Sequence, residues 1–202
     1  TPDHHPHGTV VPGFVDAHTH LPFFGWRDDE FEARLAGTTY RDLHGAGGGI
    51  PRSARMLAEA TDDEVLSFSR ALVDEMIAAG TTTLEMKTGY GLSPMAEMRQ
   101  ARLARALGRD DRIATTVTLL AGHAVPEGTT REGWIRLACD ELIPDAAGRG
   151  VVDAVDLYVE DIAFTIDDLG AVAAAAAAAG LPLRCHADQL GDSAAAAAAA
   201  RL

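Results

Sequence analysis

The feature that most constrains this chain is a strict alternation of helix-like and strand-like segments after residue 60. Residues 61–79 open on "TDDE", a capping box in which a Thr hydroxyl and a Glu carboxylate serve each other's backbone N–H groups. Val65, Phe68, Leu72, Val73, Met76 and Ile77 then recur at helical spacing, and Gly80 closes the segment. "TTTLEMK" (81–87) is rich in β-branched residues and reads as a strand. Residues 93–108 form a helix, with Ser93 as N-cap, Pro94 in the first turn and Gly108 at the end. "RIATTVTLLAGH" (112–123) is a strand, 130–147 a helix holding Trp134, Ile135 and Leu137, and "AVDLYVED" (154–161) a strand. A helix over 165–180 opens on Thr165 with Asp168, "LPLRCHAD" (181–188) is a strand, and "SAAAAAAARL" begins another helix. An apolar run ahead of these, "VPGFVDAHTHL" (11–21), supplies a first strand.

Strands alternating with helices must be parallel and joined by right-handed crossovers. Five of them fit either an open doubly wound sheet or part of a (β/α)8 barrel. A complete barrel typically needs ~250 residues, and this chain has 202 and stops inside a helix. We therefore expect a piece of a longer protein, with residues 1–11 as a lead-in and 12–202 as the α/β unit. The residues are 47% hydrophobic and 23% charged, enough apolar material for a real core. The formal net charge of −13 repels phosphate backbones and argues against nucleic acid as a partner. Two cysteines, Cys139 and Cys185, imply no disulfide framework. No stretch is apolar for long enough to span a bilayer, and the start, "TPDHHPHG", has no apolar signal core, so cytoplasm is the expected location.

Residues i and i+2 of a strand point to the same side. His18 and His20 therefore converge, with Asp16 upstream, and two neutral imidazoles aimed together suit a divalent metal ion. The other strands also end on polar groups: Lys87 and Tyr90 after the second, His123 after the third, Glu160 and Asp161 after the fourth, His186 on the fifth. In parallel α/β folds that carboxyl rim is where active sites form. His4, His5 and His7 lie in a polar Pro-containing lead-in and read as solvated. His44 precedes "GAGGGI", which lacks the ending of a phosphate loop and reads as backbone that approaches a ligand closely.

"PGFVDAHTHL" resembles the opening metal motif of the amidohydrolase superfamily. Together with "FFGWRDDEFEARLAG", "GAGGGI", "EMKTGYGLS", "TLLAGHAVPEG" and "CHADQL", it is similar to the imidazolonepropionase family, the ring-opening hydrolases of histidine degradation. The likeness runs from about residue 12 to about residue 190. It implies a partial (β/α)8 TIM-like barrel of about five β/α units, with residues 1–11 a remnant of an N-terminal β-sandwich region.

The resemblance also implies a site. His18, His20 and His186 would hold one zinc or iron (Fe3+) ion, completed by an Asp that lies beyond this sequence. Arg27, Tyr90, His123 and Gln189 would contact substrate. The implied reaction is hydrolysis of the cyclic amide of 4-imidazolone-5-propanoate to N-formimidoyl-L-glutamate, in a homodimer when complete. Arg27 would fork the propanoate carboxylate, although Asp28, Asp29 and Glu30 offer it ion pairs. His123 would hydrogen-bond the carbonyl oxygen as charge develops there. Gln189 would bridge to a ring nitrogen. Lys87 has three readings: a charge behind the site, a partner for Glu85, or the carbamylated lysine of a binuclear relative. One departure stands out: "YVEDIAF" occupies a place where the family has Cys-Glu-His-Ile-Gly-Phe, so Val159, Asp161 and Ala163 differ. Two further readings stay open, another cyclic-amide or deaminating amidohydrolase, or an inactive remnant. For the isolated chain we expect weak metal affinity, no activity and poor solubility from open sheet edges.

Overall fold

The computed structural model describes residues 9–202; His4, His5, His7 and the rest of 1–8 lie outside the described residues. Five parallel strands form one sheet: β1 (Phe14–Thr19), β2 (Thr81–Lys87), β3 (Ala114–Gly122), β4 (Ala154–Val159) and β5 (His186–Ala187). Their spatial order is their chain order. A doubly wound sheet reverses direction at a switch point; this one never does. The strands instead wind one way, as the first five of a (β/α)8 barrel do.

The two sides of the sheet differ as the pleat demands. Leu84 and Met86 on β2, Val117, Leu119 and Ala121 on β3, and Val155, Leu157 and Val159 on β4 join one apolar core. Helices cover that side: α5 (Pro94–Leu107), α6 (Arg131–Leu137), α7 (Ile143–Gly148) and α8 (Ile166–Ala178). The alternate positions Glu85, Lys87, Thr118 and Asp156 are buried on the other, concave side, where a barrel keeps its interior.

The expected helix starts are present. Thr61 accepts from the Glu64 N–H at 3.3 Å and its own N–H donates to Glu64 Oε2 at 2.8 Å, opening α4 (Asp62–Ala78). Ser93 caps α5, and Thr165 with Asp168 caps α8. Three regions depart from expectation. Between β1 and α4, where the sequence reading assigns no element, the chain makes α1 (Asp28–Leu35), α2 (Tyr40–Gly45) and α3 (Ile50–Glu59). The helix expected over 130–147 is interrupted by a π-helical turn, Ala138–Leu142. Pro144 has no N–H for the carbonyl four residues back, and the wider turn lies just before it. The strand expected over 181–188 is regular only at His186–Ala187. Its upstream half still pairs with β4: Val155 N–H donates to Pro182 O and Arg184 N–H to Val155 O. Pro182 itself has no N–H to give. A short helix α9 (Ala195–Ala199) follows. No helix among the described residues is long and apolar enough to cross a membrane.

Candidate metal centre

The carboxyl ends of the strands bring together histidines that are far apart in the chain. His18 lies near the end of β1 and His20 just beyond it, while His186 opens β5. His18 Nε2 and His20 Nε2 are 3.3 Å apart, and His186 Nε2 is 3.3 Å from His20 Nε2. All three ligand atoms fall within 4.8 Å of one another. Two ring nitrogens bound ~2.0–2.1 Å from one tetrahedral zinc ion would sit about 3.3–3.4 Å apart, so the cluster fits a metal ion. The electrostatics agree. Burial, then the neighbouring His186 and His18, push the His20 pKa down to about 3. Burial and His186 likewise lower that of His18. Neutral imidazoles present lone pairs to one another, an arrangement that a cation relieves. Asp16 is not in the cluster; its Oδ1 accepts from the His18 N–H at 3.3 Å.

Beneath the histidines lies a buried charge network that the sequence reading only partly anticipated. Lys87 Nζ donates to Glu85 Oε1 at 3.0 Å and to Asp156 Oδ2 at 2.7 Å. Thr118 donates to the same Glu85 oxygen at 2.6 Å, and Arg184 also pairs with Glu85. Asp156 Oδ2 is 3.0 Å from His186 Nδ1. Burial opposes ionisation of Asp156, but His186 and the Lys87 ammonium outweigh it and hold its pKa below the usual value. Lys87 thus has the ion-pair role with Glu85, and its nitrogen is already committed to two carboxylates. Asp156 is a functional residue that the sequence reading does not single out; a carboxylate amid the apolar "AVDLYV" is its one signal.

Two of the expected substrate contacts, His123 and Tyr90, lie against the histidines. The rings of His123 and His20 stack, 8° from parallel with centroids 4.8 Å apart. His123 Nδ1 is 3.2 Å from Gly89 O, so its proton sits there and Nε2 is the acceptor side of the ring. Burial, then His20 and His186, hold the His123 pKa well below its usual value. Tyr90 is 5.3 Å from His123 and 5.6 Å from His20 between ring centroids. Arg27 is half-buried and pairs with Glu30 at 3.3 Å, one of the partners expected of it. Glu30 in turn accepts from the Gly49 N–H at 3.1 Å, tying the glycine-rich segment to the same place. Gln189 is exposed at the rim; its N–H and that of Leu190 donate to the buried Glu160 carboxylate. Asp161 points elsewhere, to Arg41 at 2.7 Å.

A parallel half-barrel with His-x-His at the end of its first strand and a third histidine on its fifth defines a class of protein. Residues 9–201 match the Amidohydrolase family, and the chain belongs to it. Among curated proteins it is similar to the imidazolonepropionase of Methylobacterium nodulans, 45% identical over 193 residues, which are 95% of this chain and 48% of that protein. The imidazolonepropionase of Ectopseudomonas mendocina is 42% identical over 96% of this chain and 48% of its own length. That of Cupriavidus metallidurans is 42% identical over 99% of this chain and 49% of its own length. The chain spans about half the length of the curated relatives it matches.

Proposed function

We propose that this chain carries part of the active site of a metal-dependent hydrolase that opens the cyclic amide of 4-imidazolone-5-propanoate to N-formimidoyl-L-glutamate. The observation that carries the reading is the meeting of His18, His20 and His186 with His123 stacked on His20. The named relatives supply the substrate. His18, His20 and His186 would hold one zinc or iron ion, which supplies Lewis acidity and a water of lowered pKa when bound.

The chain's own residues do the rest. Arg27, kept in place by Glu30, pairs with the propanoate carboxylate through its planar fork. Tyr90 and Gln189 contact the imidazolone ring. His123 begins neutral with its proton turned toward Gly89 O, so Nε2 accepts the proton released as water attacks the ring carbonyl carbon. The imidazolium so formed donates from Nε2 to the carbonyl oxygen as charge develops, an oxyanion-type role that requires the prior proton gain. It then returns the proton to the ring nitrogen as the C–N bond breaks.

The test is direct. The full-length protein, loaded with zinc or iron, is incubated with 4-imidazolone-5-propanoate and N-formimidoyl-L-glutamate is measured. Turnover supports the assignment, and metal-loaded full-length protein without product overturns it.

A further inference from the structure

Residues 88–92 join β2 to α5 and carry Tyr90 over the histidines. The backbone here is unusually constrained: Gly89 has φ +113° and Leu92 φ +51°. A Cβ at Gly89 would come within 2.9 Å of His123 Nδ1, and one at Gly91 would strike the backbone of α5. A loop this tight against its neighbours cannot turn its N–H groups to water, so they need partners inside. Thr88 N–H donates to Thr118 O at 3.0 Å. The next four are taken by two side chains of α5. Glu97 accepts from Gly89 at 2.7 Å, Gly91 at 2.8 Å and Leu92 at 2.9 Å. Gln100 accepts from Tyr90 at 3.0 Å, and its amide donates 2.8 Å away to Pro22 O, two residues past His20. Both side chains are fully buried.

We propose that Glu97 and Gln100 are positioning residues for the reaction assigned above. They fix the loop that presents Tyr90 and, through Gly89, the proton on His123. The inference rests on that functional reading and deepens it. Each residue has a separate share. Glu97 sets Gly89, whose N–H it holds while the carbonyl of the same residue faces His123 Nδ1. Gln100 sets Tyr90 and ties it to the segment after His20, so the substrate-contacting phenol and the metal-ligating imidazole keep a fixed separation. Neither carboxylate nor amide touches the substrate; each acts through the loop.

The experiment compares the metal-loaded full-length parent protein with its Gln100→Met, Tyr90→Phe and double variants. Metal per chain, KM and kcat for 4-imidazolone-5-propanoate, and amide exchange at 89–92 are measured. Gln100→Met removes both of its buried hydrogen bonds and is expected to raise KM about tenfold as the loop that presents Tyr90 loosens. It should also speed amide exchange at Tyr90 and leave metal content unchanged. In the Tyr90→Phe background the same change should cost at most about threefold in KM, since coupled residues are not additive. Glu97→Gln, which keeps the volume, should lower kcat as well, because His123 loses its fixed carbonyl. Equal KM effects of Gln100→Met in both backgrounds, or none in either, would overturn the positioning role while leaving the hydrolase reading intact. A parent that binds metal but yields no product overturns the hydrolase reading itself, and the positioning role with it.

Discussion

Asp156 Oδ2 lies 3.0 Å from Nδ1 of His186, and the same oxygen receives the Lys87 ammonium at 2.7 Å. The carboxylate thus stands on the side of the imidazole opposite the other ligand nitrogens. It favours the tautomer that keeps Nε2 unprotonated and turned toward His20. Replacing Asp156 by Asn keeps the shape and removes the charge. Metal affinity should fall about 10–100-fold, read by titrating the apoprotein with zinc; an unchanged affinity would separate Asp156 from the metal centre.

Lys87 is 3% exposed, as its side chain runs between Glu85 and Asp156. Substituting Met leaves the buried Asp156 carboxylate without its cation, while Glu85 keeps Arg184, at a cost of about 3–5 kcal/mol. Urea denaturation measures that loss. The same pairing leaves the lysine nitrogen no room for a carbamate, so we expect one metal ion per chain by elemental analysis. Two ions would restore the binuclear reading.

Acid should weaken the metal-free protein. His20 has a folded pKa of about 3 against 6.5 unfolded, and burial drives His123 the same way. Through that window the unfolded chain binds more protons than the folded one. Stability is therefore complete above about pH 6.5 and is lost as pH falls toward the folded value, by about 1.4 kcal/mol per pH unit for each such histidine. Urea midpoints compared at about pH 7.5 and about pH 5 give the sign.

Arg27 and His123 should separate kinetically. In the proposed reaction Arg27→Ala removes a carboxylate contact made equally in the ground and transition states, so KM should rise at least about tenfold with kcat nearly kept. His123→Phe preserves the ring stacked on His20 but not its proton transfer, and kcat should fall about 10²–10⁴-fold. Steady-state kinetics on the imidazolone substrate decide both.

Thr61 begins α4 with both hydrogen bonds of the capping box in place. Thr61→Ala should cost about 1 kcal/mol in thermal or urea unfolding, with metal binding unaffected.

That capping box was legible because its chemistry is local: a hydroxyl and a carboxylate three residues apart. The same holds for Ser93 and for Thr165 with Asp168. His18 and His20 were legible as a pair because the pleat alone turns them together, and the strand order followed from alternation. What escaped the sequence was whatever depends on distant partners. Asp156 matters because Lys87 reaches it across an intervening strand. Glu97 looks like an ordinary helix residue until the loop N–H groups close on it. Helix α1 carries no strong amphipathic rhythm of its own, and Arg27, Glu30 and Gly49 hold its end of the region by polar contacts, whereas α3 turns Ile50, Ser53 and Leu57 inward.

The charges on the concave side of the sheet also act as a key for assembly. Glu85 and Lys87 of β2, Thr118 of β3 and Asp156 of β4 meet only when those three strands are in their native alignment. A slip of one residue in β2 or β4 would turn a charge to the apolar side and strand its counterion, and one in β3 would turn Thr118 away from Glu85. Misaligned barrels are thus penalised before any metal arrives, and the histidines that crown the strands inherit their accuracy from a lock set one layer below them.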